Sequence, residues 1–249
     1  MNLFIKIMLF ITGASLGSFI NVLVLRMERG KRFVLERSEC LYCGHKLSYL
    51  DTIPLISYLL AGGKCRYCGK HISIRYPVTE VLGGAVVLFS YMRYDLSYEG
   101  VTVAAILLNL LAVALFDLDT MMIPDAYIIS LVILTLLHMI TGNVSAFERL
   151  AGALIISVPM LLIILTVRGF GMGDLYISAL CGLCFGYKVM LTGFLLGLFT
   201  GCVKAVYMIA TKKGKSGDMM PFTPSLCLGI ATALFYGDII LNKYITLMN

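Results

Sequence analysis

Apolar runs of bilayer-spanning length recur along this whole chain, and they leave little room for a water-soluble fold. Because a helix rises about 1.5 Å per residue, roughly twenty apolar residues cross the hydrocarbon core. Windows of that character lie at roughly 3–25, 78–92, 100–118, 125–141, 149–167, 174–186, 188–210 and 222–240. Residues of the hydrophobic class make up 59% of the chain and charged residues 14%. A soluble domain of 249 residues needs far more polar surface than that. The sequence therefore predicts an all-α polytopic membrane protein with about eight transmembrane helices, solvated by the lipid bilayer.

The first window carries Gly13-Ala14-Ser15, which has the small-residue look of a signal-cleavage site. Its apolar run continues to Leu25, longer than a signal peptide's core, so a retained helix is expected. Basic residues then set the orientation. With the N-terminus outside, the segments 26–76, 119–124, 168–173 and 211–221 face the cytoplasm and hold 14 of the 20 Lys and Arg residues. That asymmetry is the positive-inside pattern. It reads the net charge of +6 as a topology signal, with no nucleic-acid partner expected.

One sizeable polar segment interrupts the apolar pattern, dividing the chain into a first helix at 1–25, an insert at 26–77 and a helical remainder at 78–249. The insert contains CLYCGHK at 40–46 and CRYCGKH at 65–71. Two cysteines three positions apart on a tight turn can direct both sulfurs at one ion, and a following glycine relaxes the turn. Cys40, Cys43, Cys65 and Cys68 thus form a candidate structural zinc site. Disulfides are disfavoured in a reducing cytoplasm, and a redox pair is the other alternative. So small an insert has little core, and a metal would supply its folding energy. His45 and His71 flank the knuckles as solvated residues, and Cys181-Gly-Leu-Cys184 repeats the spacing inside an apolar window by coincidence.

Acids in apolar windows are costly and count as functional candidates. The stretch LFDLDTMMIPD at 115–125 holds three. Asp117 closes the third window, while Asp119 lies about 200° further round a helix and cannot face the same partner. Asp125 follows Pro124 and fits the first turn of the next helix, beside its positive end. A partner for Asp117 should come from another window at the same depth. Asp174 fits, since it follows the glycine-rich RGFGMG and opens an apolar window on the same side. Gly171 and Gly173 would let another backbone approach closely. Two carboxylates about 3 Å apart share one proton and can activate water against a carbonyl. The same acids would also serve a proton-coupled transporter, or charge used only for topology, and spacing alone leaves these readings open. In the first window Gly13 and Gly17 define a small-residue face. Asn21 continues it as either an interhelical hydrogen-bonding residue or a site residue. Gly193, Gly197 and Gly201 form a second packing stripe.

These pieces occur in a specific order: GSFINVLVLR at 17–26, the paired knuckles, SIRYPVTE at 73–80, FDLDTMMIPD at 116–125, GMGD at 171–174 and PFTPSLCLG at 221–229. The ordered set resembles the type IV prepilin peptidases, bifunctional leader peptidases and N-methyltransferases of bacterial membranes, over nearly the whole chain. The resemblance implies an aspartyl membrane protease of the GxGD kind, with Asp117 and Asp174 catalytic. Gly171, Gly173, Asp119, Asp125, Asn21 and Glu80 are supporting candidates. It also implies prepilin or pseudopilin substrates, cleaved after a Gly at the cytoplasmic face of the inner membrane. The new N-terminus would then be methylated by S-adenosylmethionine. No glycine-rich nucleotide loop is visible, so the methyl-donor site is unassigned, with the insert and RYPVTE favoured through the resemblance. Glu28, Glu36, Glu39 and Glu80 are candidates to receive a basic leader. Many family members place a lysine where this chain has Tyr176, which marks that position as outside the core chemistry.

Overall fold

The computed structural model describes residues 3–30, 38–167, 170–211 and 220–248. Among them every long element is an α-helix, and the only β pairing is two isolated bridges. In chain order the helices are α1 (Leu3–Glu28), the short α2 (Ile56–Leu60), α3 (Arg75–Tyr94), α4 (Tyr98–Thr120), α5 (Asp125–Thr141), α6 (Ala146–Val167), α7 (Met172–Ala210) and α8 (Thr223–Met248). The chain divides into two compact units, Met1–Leu96 and Ser97–Asn249.

Leu3–Glu28, Tyr98–Thr120, Ala146–Thr166 and Met172–Ala210 are long and apolar enough to cross a membrane. Asp125–Thr141 and Thr223–Gly237 are shorter apolar helices. The expected span at 78–92 is helical within α3, and Arg75, Thr79, Glu80, Ser90 and Arg93 dilute the apolar character of that helix. The expected spans at 174–186 and 188–210 are the two helical segments of α7, divided where Gly186 adopts φ 78° and ψ 176°. That left-handed φ is open to glycine at little steric cost.

In the first unit, α1 packs against α3 through glycine on both sides. A Cβ on Gly13 would collide with the Gly83 carbonyl oxygen, and one on Gly17 with the Thr79 carbonyl oxygen. The small face expected on α1 is therefore a helix contact, matched by Gly83 on α3. The opposite face exposes Leu3, Phe4, Ile7 and Ile11, an outward apolar surface suited to lipid.

In the second unit, α7 packs against α5, α6 and α8, while α4 packs against α5 and α8. Gly193 and Gly197 meet the α8 backbone at Ile230 and Leu226, as the glycine stripe predicts, and Gly229 supplies the matching gap. Gly152 and Gly182 make the corresponding close crossing of α6 and α7. Asn109 of α4 donates to Ser130 of α5.

Arg149 is 5% exposed and holds the break in α7. Its guanidinium donates to the carbonyls of Val144 at 3.0 Å, Leu183 at 3.1 Å and Gly142 at 2.9 Å. Buried carbonyls at a helix interruption need such donors. Cys181 and Cys184 are buried in α7, with Cys184 Sγ 3.4 Å from Thr135 Oγ1, so this CxxC serves packing.

Candidate active site

α4 runs to Thr120 and stops because Met121 turns left-handed, with φ 54° and ψ 27°, its N–H returning to the Asp117 carbonyl at 2.9 Å. The side chains of the last turn consequently diverge. Asp117 is buried at 6% exposure, whereas Asp119 is exposed, as helical phase requires. Pro124 then caps α5, and Asp125 is the exposed first residue of that helix. Asp125 therefore sits in the helix start expected for it.

Asp174 occupies the first turn of α7, whose N-cap is Gly171. It is also buried, at 6% exposure, beside the positive end of its helix. Gly173 has a definite steric role. A Cβ there would lie 2.5 Å from Ile123 Cδ1, so the loop following Asp117 rests directly on the segment carrying Asp174. The two acidic motifs, distant in sequence, are thereby brought together.

A third residue completes the cluster. Thr223, the first residue of α8 and 1% exposed, donates its hydroxyl to Asp174 Oδ1 at 2.6 Å. Thr223 also lies close to the Asp117 carboxylate. Asp117 and Asp174 are within electrostatic range of one another, and Lys204 of α7 is within range of Asp117. Asp117 Oδ2 is buried without a hydrogen-bond partner among the described residues. Sequence reasoning missed Thr223. Its signal was a polar residue framed by Pro221 and Pro224 at the opening of an apolar helix.

Phe222 fixes Thr223 in place. Its ring packs edge-on against Phe170 at 5.2 Å and Phe194 at 6.2 Å. Tyr176 is exposed on α7, two residues from Asp174 and so turned to another face.

The remaining candidates lie in the first unit. Asn21 is fully buried, and neither side-chain polar atom has a hydrogen-bond partner among the described residues. The interhelical bond considered for it is not made there. Glu80 is buried and accepts the Leu55 N–H at 2.7 Å. That bond ties α3 to the insert where Leu55 holds φ 63°, and it commits an oxygen that a basic leader would otherwise meet. Glu28 and Glu39 are exposed, and Glu36 lies outside the described residues.

Cys40, Cys43, Cys65 and Cys68 converge, with all four sulfurs within 4.8 Å of one another. Each knuckle repeats the same hydrogen bonds: Cys40 N to His45 O at 2.9 Å and Gly44 N to Cys40 O at 2.9 Å, then Cys65 N to Lys70 O at 2.8 Å and Gly69 N to Cys65 O at 2.9 Å. Gly44 and Gly69 hold φ of 68° and 70°, the left-handed turn expected after each pair. Cys40 Sγ and Cys68 Sγ are 3.9 Å apart, too far for a disulfide. Tetrahedral zinc with sulfurs at about 2.3 Å would separate them by about 3.8 Å, so the cluster fits a zinc ion. The Cys43 and Tyr42 backbone N–H groups hold Cys40 down to about 6. Cys68, despite the Lys70 N–H, is pushed up to about 11 by desolvation and by hydrogen bonding with Cys65, Cys43 and Cys40. Thiols so close cannot all ionise without a cation among them. His45 stacks on Tyr67 at 3.6 Å, and neither it nor His71 belongs to the cluster.

Residues 11–94 match the bacterial peptidase A24 N-terminal domain, and residues 104–206 match the type IV leader peptidase family. A prepilin leader peptidase/N-methyltransferase of Pseudomonas aeruginosa is 31% identical over 268 residues, covering 94% of this chain and 91% of that protein. The chain belongs to the type IV leader peptidase family. Its resemblance extends to a similarly named protein of Bacillus subtilis, 29% identical over 95% of this chain and 96% of the relative. One of Pseudomonas putida is 30% identical over 92% and 89%. No solved structure matches. This family member is a peptidase with methyltransferase activity by these relationships.

Proposed function

We propose that this protein removes the short basic leader of prepilin or pseudopilin substrates by aspartyl-dyad water activation, and then N-methylates the exposed amino-terminus. The observation that carries the peptidase reading is the burial of Asp117 and Asp174 within electrostatic range of one another, with Thr223 donating to Asp174. A dyad sharing one proton has both components that peptide hydrolysis needs. The ionised carboxylate takes a proton from water while the protonated one donates to the scissile carbonyl oxygen. The tetrahedral intermediate then expels the amine, which leaves with a proton returned by the dyad. Gly171 at the α7 N-cap leaves the approach to Asp174 free of a side chain.

In this reading the protein spans the bacterial inner membrane about eight times, its N-terminus outside and its dyad at the cytoplasmic face. The insert between α1 and α3 is cytoplasmic and zinc-bound. Cys40, Cys43, Cys65 and Cys68 would hold the ion, whose role would be structural, since four thiolates complete a tetrahedral zinc site.

Methyl transfer is assigned to the first unit. A cavity of 540 Å³ lies there, lined by Arg26, Arg29, Tyr42, Asp51, Tyr58 and Tyr67 among others. Small-molecule sites commonly have about this volume. Aromatic faces suit both an adenine ring and a sulfonium cation, and Arg29 suits a carboxylate. S-adenosylmethionine supplies an electrophilic methyl group when bound. Asp51 orders the lining, accepting from Ser48 and Tyr67 and pairing with Arg66 at 3.4 Å. The Ser48 N–H leads the contacts that hold its carboxyl below the usual range. Equilibrium dialysis with labelled S-adenosylmethionine should show binding by the purified protein that Arg29→Met and Tyr58→Leu each weaken. Parent-like binding by both would remove the assignment.

Co-expression with a prepilin-like substrate tests the function as a whole. A shift to the mature mobility is expected. An unprocessed substrate, together with proton-driven solute uptake by proteoliposomes, would instead favour the transporter.

A further inference from the structure

α8 packs against both α4 and α7, the helices that carry the two aspartates. Its first residue lies at the junction. We infer that Thr223 is a positioning residue of the dyad, its hydroxyl holding one oxygen of Asp174 while α8 registers Asp117 against it. This rests on the dyad reading and adds to it a third member from a separate helix.

Four observations carry the assignment. The Thr223 Oγ1 to Asp174 Oδ1 distance is 2.6 Å, in the range of a hydroxyl donating to a charged oxygen. Thr223 is 1% exposed, so water does not compete for this bond. Thr223 also lies close to the Asp117 carboxylate. Finally, the residue is braced on both sides: Phe222 packs on Phe170 and Phe194, and the next turns of α8 lie against Gly197 and Gly193. A donor held this firmly restricts rotation of the Asp174 carboxylate. Restricting a catalytic group to productive geometry is itself a source of rate.

A hydrogen bond to a carboxylate favours its charged form. Loss of the donor should therefore move the acid limb of the pH–rate profile to higher pH. Three ionisable groups act on this pair among the described residues. Asp117 of α4 faces Asp174, Cys227 of α8 lies within electrostatic range of both acids, and Lys204 of α7 acts on Asp117.

The test compares Thr223→Val, which keeps shape and removes the donor, with Thr223→Ser, which keeps the donor. Purified variants are assayed for leader cleavage across pH, beside Asp117→Asn and Asp174→Asn. Thr223→Val should lower kcat by about tenfold or more with KM little changed, and should move the acid limb upward. Thr223→Ser should stay close to the parent in both. A parent-like profile for Thr223→Val, or equal impairment of the Ser and Val variants, would overturn the assignment. Should Thr223→Val not accumulate in membranes, Thr223→Ala against Thr223→Ser decides in the same way. Activity in the aspartate variants would instead sink the dyad reading, whatever the Thr223 variants do.

Discussion

Gly13 of α1 and Gly83 of α3 meet backbone to backbone, and a Cβ on either would collide with the carbonyl oxygen of the other. Small residues at such a crossing let helices associate by close packing where lipid removes the hydrophobic drive. Gly83→Leu should therefore force α1 and α3 apart. Overpacking of this kind costs about 1–3 kcal/mol or more. A lowered unfolding temperature in detergent is expected, with Gly84→Ala, against the movable Phe10 ring, milder.

Arg149 is a second structural requirement. Its three carbonyl partners belong to Gly142, Val144 and Leu183, two in the α5–α6 connection and one just ahead of the Gly186 break. Arg149→Met keeps the length and leaves these oxygens without their donor. Hydrogen bonds to a charged group contribute about 1.5–3 kcal/mol each, so a loss of several kcal/mol is expected. Thermal inactivation should be much faster, while the protein surviving at low temperature cleaves at nearly the parental rate.

Disruption of the cysteine cluster should separate the two activities. Cys43→Ser breaks the four-sulfur cluster and should reduce bound zinc, measured by atomic emission, from one equivalent to near none. Limited proteolysis should then cut within 38–74. Methylation of the product should fall by tenfold or more, because the cavity shares Cys40 and Cys65 with the cluster. Leader cleavage should persist, since Asp117 and Asp174 belong to the other unit.

The helices and the acids were legible in the sequence for different reasons. Apolar windows mark helix centres well, and the start of α5 at Asp125 follows from Pro124. Asp117 separates from Asp119 by helical phase alone. The break at Gly186 falls where the windows 174–186 and 188–210 divide, whereas its left-handed backbone is not encoded in apolar composition. Arg149 stands at the edge of the window 149–167, and its burial on three carbonyls is supplied largely by tertiary structure. Thr223 was hidden for a similar reason: its bond to Asp174 joins residues 49 positions apart, and no local pattern encodes that pairing. Glu80 was read as a candidate for the leader, whereas its contact with Leu55 is structural.

The central claim is that Asp117 and Asp174 act as one catalytic unit. The most direct measurement is the single-turnover rate of leader cleavage by purified parent, Asp117→Asn, Asp174→Asn and the double variant, each shown to be folded. Groups that act as a unit are strongly non-additive. Each single variant should lose about 1,000-fold or more, and the double variant should be no slower than the worse single one. A single variant cleaving at more than about a tenth of the parental rate, or losses that multiply in the double variant, would contradict the dyad.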